Sequence, residues 1–311
     1  MPAPGRLPVR QPYPSDLTDV QWAQIGPLLP TRDPTGGGRP GYDRRLVVDT
    51  ILYVLRAGCA WRMVPHDLAP WWVAYRWFRT WAADGTWDRV HDQLRDRVRA
   101  AAGCDPQPSA GVLDAQSVKT AEGGTARGFD AGKKVTGRKR HLLVDTLGLL
   151  LICVVHAASV QDRAGGRRVL AGVRGRFPLL GKVWADGGYA NQVDTGLIDW
   201  ARAHCGLELE IVPRPAGQRG FAVLPRRWVV ERTFAWLGRS RRLARDYERK
   251  PEHAEAMIKV AMIRLMAARL AEEDYQPQGP IEQEAARRLA QQDQQDQQDQ
   301  QDQQDQPGQP P

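Results

Sequence analysis

The 311-residue chain changes texture near residue 111, and no other feature limits its possible folds as much. Before that point apolar residues recur at helical spacing. After it they gather in short runs separated by glycines. In the first part, a Thr18-x-x-Gln21 capping box opens a short helix through Trp22, Ile25 and Leu28. Asp43 caps a second helix in which Leu46, Val47, Thr50, Ile51, Val54 and Leu55 keep 3.6-residue spacing, and Gly58 ends it. Pro70 starts a tryptophan-loaded helix with Trp71, Trp72, Trp77, Phe78 and Trp81. Thr86 caps a last one, with Val90, Leu94 and Val98 inward and Arg89, Arg95, Arg97 and Arg99 largely outward. The pattern predicts a flexible arm at 1–14, an all-helical domain at 15–104 and a Pro/Gly-rich loop at 31–41.

Beyond Gly111 the apolar runs Val112–Leu113, His141–Val144, Leu149–Val155, Lys182–Ala185 and Leu207–Val212 read as strands. Helices are expected at Gln161–Arg174 and Asn191–Cys205, and a long helical region at Arg226–Leu270. Three close strands followed by alternating helix and strand predict an α/β domain whose mixed sheet is antiparallel in front and parallel behind. The segment from Tyr275 onward, with its QQD repeats, has too little apolar content to fold and is expected to be disordered.

Charge is unevenly divided. The formal net charge is +8, but residues 272–311 carry −8, which leaves +16 on the rest. A body that basic is matched to a polyanion, with a solvated arginine-rich surface as the alternative. The longest mostly apolar stretch, Leu147–Val155, is far too short to span a bilayer, and the N-terminus has no apolar signal region, so the expectation is a cytoplasmic protein. Cys59, Cys104, Cys153 and Cys205 have no zinc spacing and no C-x-x-C pair.

Two carboxylates follow apolar runs. Asp114 follows Val112–Leu113, and Asp186 follows Val183–Trp184–Ala185 with Gly187 and Gly188 after it, so each is expected at the carboxyl end of a buried strand. Glu231 lies in the helical stretch WVVERTFAWLGR, one turn after Arg227. Three converging carboxylates would suit Mg²⁺, a hard cation with oxygen ligands. Taken singly, each also reads as a loop cap, a turn residue or an ion-pair partner.

The stretches VLDAQSVKT (112–120), GFDAGKKVTGRKRHLLVDTLGLLL (128–151), VWADGGYAN (183–191) and LPRRWVVERTFAWLGRSRRLARDYER (224–249) closely resemble the DDE transposases of bacterial insertion sequences, of the IS-four/IS-five kind. YPSDLTDVQWAQIGPLLP and AGCAWRMVPHDLAPWWVAYRWFRTW are similar to the helical N-terminal domain of the same proteins. The resemblance implies a ribonuclease-H-like DDE catalytic domain at 108–271. It implies Asp114, Asp186 and Glu231 as catalytic residues and ligands of two Mg²⁺ ions, with Mn²⁺ able to substitute. Arg227 matches the arginine of the R-x3-E signature, while Leu224 and Gly238 stand where the wider pattern has tyrosine and lysine. The activity implied is binding of an element's terminal repeats, followed by metal-dependent cleavage and strand transfer. A catalytically lapsed DNA-binding regulator is the alternative.

The implied partner is double-stranded DNA, element ends and target alike, with a homodimer bringing two ends together in the nucleoid. The glycine-punctuated segment from Arg127 to Arg140 carries net +5 and reads as a supple basic loop. The expected DNA contacts are Lys119, Lys133, Lys134, Arg138, Lys139, Arg140, Arg227, Arg239, Arg241 and Arg242. His141 is read as the start of a strand, and the tryptophans as core more than as base-stacking groups.

Overall fold

The computed structural model describes residues 10–31, 42–121, 124–190, 196–212 and 226–271. The chain divides into a unit at 1–271 and another at 272–311, and the elements below all belong to the first. The expectations placed on residues 1–9, on most of the 31–41 loop, on Leu224 and on the Gln/Asp-rich tail lie outside the described residues.

Four helices come first: α1 (Asp19–Ile25), α2 (Arg44–Ala57), α3 (Trp71–Ala83) and α4 (Thr86–Ala101). Thr18 and Gln21 form the capping box at α1, Asp43 accepts from Arg45 N at α2, and Gly58 closes α2 at φ 72°, a left-handed conformation that glycine adopts without strain. Trp77, Trp81 and Trp87 meet edge to face and Phe78 packs tilted on Trp87 in the core, so these rings of α3 and α4 are packing groups. Two expectations fail in α4. The cap position is Gly85, with Asp84 accepting from Thr86 N, and Arg95 and Arg99 are buried. Arg95 is neutralised by Asp92 and Asp96 and lies over Phe177, while Arg99 reaches the fully buried Asp145 at 2.5 Å. Arginines on this face serve to join the helices to the rest of the unit.

The sheet is built from β1 (Ala110–Lys119), β2 (Gly128–Asp130), β3 (Val135–Asp145), β4 (Leu150–Ala157), β5 (Lys182–Ala185) and β6 (Glu208–Ile211). Antiparallel β1, β3 and β4 form the front, with β2 pairing the start of β3, and β5 and β6 continue in parallel from the other edge of β1. This is the strand order of a ribonuclease-H-like sheet. Helices α5 (Asp162–Ala171) and α6 (Gly196–Cys205) make the crossovers and cover one face through Val169, Leu170, Leu197 and Ala201. The remaining helical region is three helices, α7 (Trp228–Gly238), α8 (Arg241–Ala244) and α9 (Pro251–Ala271).

Two differences from the sequence reading concern function. Asp114 is not at a strand end, because β1 continues to Lys119 along its antiparallel partner β3; only the parallel neighbour β5 stops, at Ala185 opposite Leu113. The basic segment is not a loop either, since 135–140 is strand. Its side chains alternate between the two faces of the sheet. Arg138 and Arg140 enter one face, Lys139 and His141 the other, and all four are buried. Gly137 is the residue that permits this: a Cβ there would overlap the Val118 carbonyl of β1.

Helix α9 has buried residues on nearly every side, including Met257, Ile258, Val260, Met262, Ile263 and Met266. It touches α1, α2, α3, α4 and α7 as well as β4, which explains why its sequence lacks a polar stripe. No described helix is long and apolar enough to cross a membrane.

Candidate active site

The parallel register carries Asp114 and Asp186 to neighbouring positions, one step past the paired residues Leu113 and Ala185. Asp114 Oδ1 accepts from Ala115 N at 2.7 Å. Asp186 caps the tight turn Gly187–Tyr189, its Oδ1 accepting from Gly188 N at 2.9 Å. The two carboxylates feel each other: burial, and then the Asp186 charge, push Asp114 up to about 6. Opposite charge near this pair comes from Arg227 and Lys133.

Glu231 joins the pair through Arg227. The Arg227 guanidinium, buried at the start of α7, lies 3.9 Å from Asp186 Oδ2 and 3.8 Å from Glu231 Oε1. The helical spacing of 227 and 231 aims both side chains into one crevice. Arg227 is thus the link between Glu231 and Asp186, the neighbour of Asp114. Among the described residues no three His, Cys, Asp or Glu side chains stand close enough to hold a metal ion in this conformation. The donor chemistry nevertheless fits a hard divalent cation: the carboxylate oxygens are partly exposed, and Asp114 is pushed up by burial and then by the Asp186 charge, both of which a cation would offset.

Lys133 is exposed, yet its Nζ donates to the Ala115 carbonyl at 2.7 Å, which holds it beside Asp114. Lys119, Lys134, Arg239 and Arg241 are exposed. Five other residues expected to contact DNA are instead internal, turned to partners within the chain. Arg138 is fully buried and gives hydrogen bonds to the carbonyls of Thr125, Glu248 and Arg249 and to Asp246 Oδ2. Arg140 bonds to the Leu243 carbonyl, and Lys139 to the Val160 carbonyl, Asp162 and Asp130. Arg242 is spent on Glu248 and the Cys59 carbonyl. Arg227 serves the carboxylates. For Arg138, Lys139, Arg140 and Arg242 the physical reason is common: each satisfies acceptors that only the folded chain assembles, whereas Arg227 lies at ion-pair distance from two partly exposed carboxylates.

The sequence reading missed the layer beneath the carboxylates. Asp162, at the start of α5, has its Oδ2 near Asp186 Oδ1, the two flanking the position a Cβ at Gly188 would take, at 3.1 and 3.0 Å. Asp130 is held by Ser117 Oγ, Lys133 N and Lys139, contacts that keep it down at about 2 against the opposing effect of burial. Tyr189 and His141 lie below the Asp186 turn. A glycine pair inside α5, Gly165–Gly166, was the available signal for this layer.

Comparison with known proteins adds an independent line. Residues 17–91 match the family described as "Putative transposase of IS4/5 family", and residues 105–266 match the family described as "Transposase DDE domain". Two relatives come from Burkholderia cepacia. One, "Insertion element IS402 uncharacterized 16.2 kDa protein", is 32% identical over 117 residues, covering 36% of this chain and 78% of that protein. The other, "Putative transposase for insertion sequence element IS402", is 33% identical over 132 residues, covering 40% of this chain and 60% of that protein. No solved structure matches the chain.

Proposed function

The chain belongs to the IS4/5-family DDE transposases, enzymes that cleave and transfer DNA strands, and from that premise we propose that Asp114, Asp186 and Glu231 are its catalytic carboxylates. The observation that carries this reading is the register that sets Asp114, within β1, beside Asp186 at the end of β5, while Arg227 links Asp186 to Glu231. DDE transposases use divalent metal ions. The three carboxylates would hold two Mg²⁺, or Mn²⁺ in their place, and the ions supply activation of the attacking oxygen and stabilisation of the leaving one.

The chain's own groups have separable tasks. Gly188 N and Ala115 N orient the two aspartates. Arg227 keeps Asp186 and Glu231 facing one another and limits their mutual repulsion. Lys133, anchored beside Asp114, together with exposed Lys119, Lys134, Arg239 and Arg241, is positioned to neutralise DNA phosphates. At the element end, water attacks the phosphodiester and the P–O3′ bond breaks. The freed 3′ hydroxyl then attacks a target phosphodiester, one P–O bond forming for each that breaks. The substrates are the element's terminal repeats and a target duplex, held by two copies of the chain.

Replacing Asp186 with Asn tests the assignment. Cleavage and strand transfer should vanish while binding to element-end DNA persists; cleavage retained by this variant would overturn it. A lapsed regulator is the second reading, favoured by the arginine that sits among the carboxylates. Nicking of a terminal-repeat duplex by the unaltered protein on adding Mg²⁺ or Mn²⁺ decides against it.

A further inference from the structure

Below the acidic crevice runs a buried series of polar side chains that the chemistry above leaves unused. Tyr189 ends the turn that Asp186 caps, and its backbone N–H returns to the Asp186 carbonyl at 3.1 Å. Its hydroxyl oxygen lies 2.7 Å from His141 Nδ1 on β3. His141 packs on His156 of β4, with ring centroids 4.8 Å apart, and His156 Nδ1 lies 2.9 Å from the Ala157 carbonyl oxygen. All three side chains are buried.

Helix α5 is shaped around this series. At Gly165 a Cβ would come 2.6 Å from His156 Nε2 and closer still to His141 Nε2. At Gly166 a Cβ would come 2.8 Å from the Tyr189 ring. Each interior glycine costs a helix about 1 kcal/mol relative to alanine. Two in succession, each opening the helix to one part of the same series, mean that close packing outweighs that cost.

The hydrogens follow from what each atom faces. A carbonyl only accepts, so His156 Nδ1 carries hydrogen and its Nε2 is a bare lone pair. Were the His141 hydrogen also on Nδ1, two bare Nε2 atoms would meet across Gly165, and the Tyr189 proton would have no acceptor. With hydrogen on His141 Nε2, Tyr189 O–H donates to His141 Nδ1, and the two Nε2 atoms, neither of which has a hydrogen-bond partner in the structure, are a donor and an acceptor and not two lone pairs. The same arrangement agrees with neutral rings, since burial holds both imidazoles below the usual histidine range.

We propose that the Tyr189–His141 hydrogen bond, backed by the packing of His141 on His156, positions the Asp186 turn, making Tyr189 and His141 positioning residues for strand cleavage. The proposal rests on the reading of Asp186 as a catalytic carboxylate. The contacts run from the turn to His141 on β3 and His156 on β4, so the placement of Asp186 is tied to the antiparallel front of the sheet.

Tyr189→Phe keeps the ring against Gly166 and deletes only the hydroxyl. In a cleavage assay on terminal-repeat DNA titrated with Mg²⁺, this variant should need about tenfold more metal for half-maximal rate, with end binding unchanged, as is usual when groups supporting a metal ligand are removed. Tyr189→Leu, which also removes the ring packing, should in addition lower thermal stability. Nitrogen NMR of imidazole-labelled, metal-free protein provides a readout independent of activity. His141 should be protonated at Nε2, and its Nδ1 resonance should shift in Tyr189→Phe. A wild-type metal dependence in Tyr189→Phe, or an Nδ1-protonated His141, overturns the proposal. If the unaltered protein itself cleaves nothing, the catalytic reading of Asp186 fails, and the NMR result alone decides whether the Tyr189–His141 hydrogen bond exists.

Discussion

Replacing Arg138 with methionine separates a structural from a DNA-binding role for the most basic stretch of the chain. Arg138 is 0% exposed, its partner Asp246 is nearly as buried, and they meet at 3.0 Å. The same guanidinium also gives hydrogen bonds to three backbone carbonyls. Methionine fills most of the volume and satisfies none of these acceptors. Breaking a buried pair from one side costs about 3–5 kcal/mol, because the remaining charge stays desolvated. For a folded unit of this size, that corresponds to a fall in melting temperature of roughly 6–20 °C at about 2–4 °C per kcal/mol. Urea denaturation should show the loss, and the double variant Arg138→Met/Asp246→Leu should recover only the part due to the stranded charge, since the three carbonyls and Glu248 N stay unpaired. The reasoning is refuted if Arg138→Met loses less than about 1 kcal/mol and instead lowers the salt dependence of DNA binding as a phosphate contact would.

Exposed Lys134 should behave in the opposite way: Lys134→Ala should leave stability within about 0.5 kcal/mol and reduce the slope of log K against log salt by about 0.9, measured by fluorescence anisotropy on duplex DNA. Gly165→Ala sets helix propensity, worth about 1 kcal/mol of stabilisation, against overlap with two imidazoles. The overlap should win, with a net loss of about 1–3 kcal/mol in urea, and a more stable variant would mean that the histidines do not pack there. His141 is held at about 2 by burial and then by His156 and nearby cations, and His156 is also lowered. A depressed imidazole contributes stability above the unfolded value near 6.5 and loses it as pH falls toward the folded value. Stability should therefore drop on acidification from pH 6.5 by up to about 1.4 kcal/mol per pH unit per histidine. Comparing wild type with His141→Gln between pH 7 and 5 isolates the contribution, and equal slopes would contradict it.

Local signals were legible in the sequence wherever the structure answers to neighbours along the chain. The Thr18–Gln21 box, the Asp43 cap, the Gly58 stop and the Arg227–Glu231 spacing each involve residues within a few positions of one another. The adjacency of Asp114 and Asp186 was legible in a different way, since alternation of strand and helix implies a parallel pair, although β1 runs on past the end of β5. What escaped were partnerships at long range. A run such as Arg138–Lys139–Arg140 looks like solvent-facing charge until Asp246 and the Leu243 carbonyl, more than a hundred positions away, come to meet it. Tyr189, His141 and His156 likewise have nothing in common until the sheet assembles, and only the glycine pair of α5 hinted that something must approach that helix.

The placement of α9 among the first four helices has an implication for biosynthesis. Translation delivers α1 to α4 long before the segment that fills the space between them, so the nascent amino-terminal part waits with its apolar surfaces uncovered while the sheet is still being made. A ribosome that stopped short of residue 251 would release a product whose early helices lack their common centre, a candidate for rapid proteolysis. Messages truncated by damage would thus yield little lasting protein able to compete for DNA.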